Sequence, residues 1–563
     1  MGKIHYKSYS QGEISLFPPT FDEMVPADSP VRVVSKMVEK LNLQRFDKLY
    51  KQRGRSAYHP KMMLKVVLYA YMNGVYGCRK IEELLRRDVY FMWLSGRQTP
   101  DYITINRFRN RMGEEIKELF RDMVTSLVRQ KVLSIEVSYV DGTTIGSKAG
   151  RYTCVWKKNV ERSIEKLRAK IKALEEQIAE EVACDASEVE KGEVKDNEGM
   201  TAEEMEAAVE DFEAELSRRE DSKEEERARR RRERELKRKE RQVEELGSKL
   251  AEQERRLAKM GERNSCSRTD EDATAMRTKE DTQGQPKPAY NVQAATLGQV
   301  ITAFGIYPNP TDSRTLPTFI EEIKENMGGY PSKLVADAGY GSEENYVCME
   351  SKGIEAYVKY NQFDRETRPR YKPDPFQGNN FKHDEAEDSF WCPGGRKLRK
   401  VEVIRSEDNY GRPREVSRYR AEEACTGCPL RGRCYKGEED RRTIEVNMRL
   451  RRLRGEARER LLTKEGRSLM ARRSLEPEAV FGQIKADMGY RRFRHMGKDK
   501  VMADFAFLAI AFNIKKLISL IGRGLICGAE GLYTVILWLI RRPLGPLGSE
   551  ISLYRVFAQK RIA

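Results

Sequence analysis

Histidine is scarce in this 563-residue chain, with four in all, and tryptophan is equally rare. So few imidazoles leave no Ser/His/Asp or Cys/His pairing from which to build a nucleophilic active site. Long apolar runs are also missing. The longest near the C-terminus, LYTVILWLI, is too short to span ~30 Å of hydrocarbon as a helix and is followed at once by two arginines. The opening MGKIHYKSYSQGEISLF has no apolar stretch of the kind a secretory leader needs. Ten cysteines in a chain of this length do not make a disulfide scaffold. The expectation is a reducing, cytoplasmic setting with no membrane, and metal binding for any cysteines that cluster.

Charge, by contrast, is abundant. Lys and Arg number 105 against 89 Asp and Glu, a net charge of +16, and charged residues make up 34%, above the usual ~25%. The basic excess calls for a polyanionic partner, nucleic acid first. The length implies several domains.

Residues 1–130 read as helical. MMLKVVLYAYMNGV has apolar residues at helical spacing. RKIEELLRRD, the turn GRQTPD and YITINRFRNRM then spell a helix, a turn and a basic helix. Thr104, Asn106, Arg107, Arg109 and Arg111 are the candidate DNA contacts; the competing reading is a helical bundle with one basic face.

At VLSIEVSYVDGTTI, alternation and β-branched residues predict a strand ending at Asp141. Strands follow at PAYNVQAAT and QVITAFGIYPNP, a helix at SRTLPTFIEEIKENMG, a strand in KLVADAGYG ending at Asp337, then a helix and a last strand in IEAYVKY. The result is a mixed α/β sheet interrupted after its first strand. The interruption, 160–262, carries Val160, Ile164, Leu167, Ile171, Leu174 and Ile178 at alternating four and three spacing, and later Met205, Val209, Phe212 and Leu216. An antiparallel coiled-coil hairpin is expected there. Its arginine run, Lys223 to Gln242, reads as a solvated helix laced with i,i+4 pairs.

The predicted layout is therefore a helical DNA-binding domain (1–130), core segments at 131–159, 263–360 and 465–525, the charged insert (160–262), a β-rich insertion (361–464) and a C-terminal tail (526–563). The β-rich insertion contains Cys392 in FWCPGGRKL, then Cys425, Cys428 and Cys434 in CTGCPLRGRC. Four thiols suffice for a structural Zn²⁺, and His383 is a substitute ligand. Reduced cysteines packing a small subdomain is the alternative.

Asp141 and Asp337 each precede glycine or Ala-Gly, which leaves room for a ligand. In SLEPEAVFGQIKADMGYRRFRHMG, Pro477 belongs in a first turn, so a helix is expected to start near Ser474. Phe481, Ile484 and Met488 form its apolar stripe. Glu478 and Lys485, seven apart, fall nearly in line, and Arg491, Arg492 and Arg494 extend a cationic surface. Three scattered acids suit hard divalent cations that clamp a phosphodiester.

The motifs VDGTTI, LVADAGYGSEENY and EPEAVFGQIKADMGYRRFR carry a family resemblance, together with TDEDATAM, AYNVQAAT, AFNIKKL and the N-terminal SQGEISLFPPTFDEMVPADSPVRVV. Taken together, the chain resembles a bacterial insertion-sequence transposase of the DDE type over nearly its whole length outside the insert. The resemblance implies a ribonuclease-H-like core, two Mg²⁺ ions (or Mn²⁺), Asp141, Asp337 and Glu478 as catalytic metal ligands, and terminal inverted repeats and target DNA as substrate. It also implies a homodimer or higher multimer and a nucleoid location. The family signature leaves Glu476 open as the third acid. It places an arginine four residues before the glutamate, which Arg472 satisfies only for Glu476, and a lysine seven after, which Lys485 satisfies only for Glu478. A nuclease of the same fold, or a domesticated DNA-binding protein without strand transfer, are the competing functions.

Overall fold

The computed structural model describes residues 19–50, 56–189, 203–278, 284–407, 411–435 and 437–522. The opening residues through 18, the LYTVILWLI stretch and the side chains of Met205, Val209, Phe212 and Leu216 lie outside what is described. Among the described residues no helix is long and apolar enough to cross a membrane. The chain divides into two compact units, 1–148 with 289–563, and 149–288.

The first unit is built on a mixed sheet. Its strands are β1 (Val137–Gly146), β2 (Lys287–Leu297), β3 (Val300–Tyr307), β4 (Lys333–Ala336) and β5 (Glu355–Val358). Their order is β3-β2-β1-β4-β5. β1 pairs antiparallel with β2, setting Asp141 opposite Ala294, and parallel with β4, setting Tyr139 opposite Val335. This mixed α/β arrangement is consistent with a ribonuclease-H-like core. Asp141 lies mid-strand, not at the strand end that alternation predicted: β1 continues five residues further because Gly142 to Gly146 keep pairing with β2.

β2 and β3 are buried on both faces, so helices must cover each side. The helix Lys498–Gly522 packs on β3, on Pro60–Met72 and on Gly113–Arg129. From Val501 to Phe512 it is apolar nearly all round and almost wholly buried, as a fully enclosed helix should be. Its one amide there, Asn513, is also buried. It donates to the Ile301 carbonyl and accepts from the Ile301 N–H, both at 2.8 Å. β3 is an edge strand, so these two backbone groups would otherwise be unpaired.

A second polar knot ties this helix to the N-terminal helices. Asp504 is fully buried and takes hydrogen bonds from Arg109 (2.6 Å), Tyr490 (2.6 Å) and Tyr71. Arg109 also donates to the Tyr76 carbonyl at 2.8 Å. Each buried charge therefore has a partner, the condition under which burial is tolerated.

Within the same unit, β6 (Lys382–Asp384), β7 (Ser389–Trp391), β8 (Lys397–Glu407), β9 (Pro413–Ala421) and β10 (Thr443–Val446) form an antiparallel sheet in the order β10-β9-β8-β7-β6. Its small core is Phe381, Phe390, Leu398, Tyr419, Ala421, Ile444 and Val446.

The second unit, 149–288, contains the helices Lys157–Val189 and Glu203–Met260. They run antiparallel at their base. Val160 and Ile164 pack with Met260, Leu257 and Leu250, and Arg168 pairs with Glu254 at 2.6 Å. Cys154–Trp156 and Ser265–Ser267 close the base as a two-stranded ladder.

Candidate active site

Three acids far apart in sequence meet at one arginine. Asp141 projects from the middle of β1. Asp337 directly follows β4, and its carboxylate accepts from the Ala338 N–H at 2.8 Å. Glu478 comes from the late helical segment. Arg473 reaches all three: 3.8 Å to Asp141, 3.8 Å to Asp337 and 2.6 Å to Glu478. The arginine is 14% exposed; the carboxylates are 19%, 49% and 44% exposed. The cluster is therefore open on one side and carries more negative than positive charge. Burial pushes the Asp141 carboxyl up to about 6; Arg473 and the Gly142 N–H pull it down, while Asp312 and Glu478 push it further up.

The helix that supplies Arg473 and Glu478 does not start near Ser474. It begins at Lys464, runs regularly to Arg473, and passes Pro477 through a wide π turn at Ser474–Glu478. Proline lacks the N–H that an α turn needs, and a π turn absorbs the mismatch without ending the helix. A second wide turn spans Gln483–Asp487. Counting 3.6 residues per turn from Glu478 to Lys485 therefore does not hold. The apolar stripe does: Phe481, Ile484 and Met488 are buried.

Glu476 has a different fate. Its carboxylate accepts from the backbone N–H groups of Gly298 (3.0 Å) and Gln299 (2.9 Å) and from Thr296 (3.2 Å). Gly298 and Gln299 both have positive φ, 62° and 61°. They form the two-residue turn between β2 and β3, and Glu476 caps it.

Several neighbours of the acids were not expected from sequence. Asp312 accepts from Asn291 (2.8 Å) and Gln293 (2.7 Å), and Gln293 in turn accepts from Tyr340. A Cβ at Gly142 would overlap the side-chain ends of Asp312 and Gln293, so a larger residue there would displace this polar wall. Asp312 falls between the expected strand QVITAFGIYPNP and the expected helix SRTLPTFIEEIKENMG, where nothing singled it out. The only trace of Arg473 was its place in ARRSLEPE.

Among the expected DNA contacts, Asn106, Arg107 and Arg111 are exposed on the helix Tyr102–Arg111, and Thr104 is half-buried. Asp101 caps that helix through the Thr104 N–H at 2.6 Å. Arg109 is a correction. It is 3% exposed and committed to Asp504, because its position on the helix faces the core. Arg491 and Arg494 are exposed and Lys485 is half-buried. The Arg492 guanidinium donates to the Ser147 (2.8 Å) and Lys148 (2.6 Å) carbonyls, holding the chain beyond β1.

Cys392, Cys425, Cys428 and Cys434 line a single cavity of about 20 Å³, and all four are free thiols. Burial first, then the three neighbouring cysteines, push the Cys434 thiol up, against Arg442. His383 does not line this cavity. It packs on Phe390 and lies 3.5 Å from Asp388. Among the described residues, no group of three or more His, Cys, Asp or Glu is arranged so that it could hold a metal ion. At the acids the space between the carboxylates is taken by the Arg473 guanidinium. The all-oxygen donor set itself suits a hard divalent cation.

Two protein families match the chain. One, described as a transposase DDE domain, matches residues 391–518. The other, a transposase domain (DUF772), matches residues 19–111. The first match contains Glu478 and the four cysteines; the second ends at Arg111, the last residue of the basic helix. No curated protein matches the chain, and no solved structure does. The two family matches are consistent with an insertion-element DDE transposase.

Proposed function

We propose that this chain, with the two domains of an insertion-element DDE transposase, cuts DNA at the ends of its element. It then joins the freed 3′-hydroxyls to target DNA by in-line displacement at phosphorus. The observation that carries the reading is the meeting of Asp141, Asp337 and Glu478 at Arg473. Bound Mg²⁺, or Mn²⁺ in its place, supplies charge neutralisation at the phosphate and a more acidic attacking water or hydroxyl. The three carboxylates would hold the cations. Arg473 holds the carboxylates together until cations arrive, standing in for them as the positive charge. Asp312, Asn291 and Gln293 fix the polar wall beside Asp141. Glu478 is preferred over Glu476 because Glu476 is engaged at the β2–β3 turn.

DNA would be gripped by Asn106, Arg107 and Arg111, with Thr104 beside them, and near the acids by Lys485, Arg491 and Arg494. Arg109 and Arg492 serve the fold instead. Holding two element ends together calls for a homodimer or higher multimer.

The test is an assay with labelled element ends, Mg²⁺ and a target plasmid. Wild type should nick the ends and yield joined product. Asp141→Asn should bind ends normally and cut neither strand. Wild-type cleavage by that variant would remove the acid cluster from the chemistry. Cleavage by wild type without joined product would favour a nuclease.

A further inference from the structure

We propose that Cys392, Cys425, Cys428 and Cys434 bind one structural Zn²⁺ that staples the antiparallel sheet lobe. The inference is independent of the catalytic reading, since it concerns other residues and a different kind of metal site.

The four thiols arrive from two tight turns and a short helix. The first turn is Cys392-Pro393-Gly394-Gly395. The Gly395 N–H returns to the Cys392 carbonyl at 2.9 Å, with Gly395 at φ 75°, and the next N–H, of Arg396, points at the Cys392 sulfur at 3.3 Å. The second turn is Cys425-Thr426-Gly427-Cys428. The Cys428 N–H returns to the Cys425 carbonyl at 3.2 Å, with Gly427 at φ 73°, and the Arg442 N–H points at the Cys425 sulfur at 3.3 Å. Backbone N–H groups aimed at sulfur favour the charged thiolate, the form that binds metal. Cys434 closes the set from the helix Arg431–Cys434.

Gly394 shows how close the turns come. A Cβ there would lie 3.2 Å from the Cys428 sulfur and 3.6 Å from that of Cys392. Two thiols from opposite sides thus converge over one residue that has no side chain. The space they enclose, about 20 Å³, is small enough to suit a single ion.

Charge fits as well. Zn²⁺ with four thiolates is a dianion, and Arg396, Arg431 and Arg442 line the same cavity. Arg396 is anchored there by the Ala424 and Thr426 carbonyls. The thiols stand around the cavity, and tetrahedral ligation with Zn–S bonds of about 2.3 Å would draw them inward. The lobe also has reason to need a staple. Its buried core is seven side chains, and cores that small commonly rely on metal or disulfide support.

The test uses the full-length chain purified under reducing conditions. Elemental analysis should find about one zinc per chain. The double variant Cys425→Ser/Cys428→Ser should lose it, while Cys348→Ser, at a half-buried cysteine elsewhere, should keep it. Thiol titration before and after zinc displacement should expose about four additional reactive thiols. If the double variant does not fold, wild type reconstituted with Co²⁺ should show thiolate-to-cobalt charge-transfer absorption. Wild type lacking zinc and lacking that band, or zinc retained in a folded double variant, overturns the proposal. Thiols found already joined as disulfides in reduced preparations would overturn it too.

Discussion

Two of the arginine–acid clusters in the first unit, at Arg109 and at Arg473, differ in charge balance and in access to solvent. At Arg109 and Asp504 the charges are one to one, both are sealed (3% and 0% exposed), and Tyr71 and Tyr490 also donate to the Asp504 carboxylate. At Arg473 one guanidinium faces three carboxylates, two of which are nearly half exposed. The first cluster is complete and can only hold the protein together. The second is short of positive charge and open to solvent, so it can take cations from outside.

The comparison can be broken by removing one partner from each. Arg109→Met should cost about 3–5 kcal/mol of stability by leaving Asp504 buried without its ion-pair partner, read as a lower urea midpoint. Asp141→Asn should leave the urea midpoint unchanged or higher, while end cleavage falls roughly a thousandfold, about 4 kcal/mol in barrier. If both variants changed only stability, the open cluster would be structural after all.

The neighbouring glutamates sharpen the distinction within a single helix. Glu476→Ala should lose about 2 kcal/mol by unpairing the two turn N–H groups and keep cleavage in the folded protein. Glu478→Gln should do the reverse. Arg473→Gln should lower stability by about 1–2 kcal/mol in metal-free buffer. It should also enlarge the rise in Tm on adding Mg²⁺ or Mn²⁺, because the cations no longer displace a bound guanidinium. A smaller Mg²⁺ response than wild type would show that Arg473 assists cation binding.

The smallest effect at neutral pH belongs to the sealed cluster. His495 lies 3.0 Å from Arg109, and burial pushes its imidazole down from 6.5 to about 4, with Asp504 opposing and Arg109 adding to the depression. The unfolded chain therefore binds this proton more readily than the folded one between about pH 4 and 6.5. Stability is full above that window and falls as pH drops through it, with a slope of at most about 1.4 kcal/mol per pH unit. His495→Gln should flatten Tm against pH in that range.

Much of the fold was legible because it is written in periodicity. Alternation marked β1, and the 3.6-residue pattern marked the stripe Phe481, Ile484 and Met488. The site was legible as residue types, since the acids needed only small neighbours to stand out. What stayed hidden depended on phase. Arg109 reads as a surface residue by type, and only its angular position on the helix turns it inward. Arg473 could not be placed at the acids because the helix was expected to start near Ser474, whereas it starts at Lys464. Asp312 was hidden because its partners Asn291 and Gln293 sit about twenty residues back, on β2.

The wide turn at Pro477 has a consequence for how this chain tolerates change. It works as a phase shim between two jobs: upstream, Arg473 faces the acids, and downstream, the stripe from Phe481 must face the sheet. One α-helical residue step is ~100°, so rewinding Ser474–Glu478 into a regular α-helix at unchanged length would swing one job out of alignment with the other. Substituting Pro477 with alanine should leave composition almost untouched yet let the segment rewind, and the two ends of the helix would then compete over which one keeps its bearing.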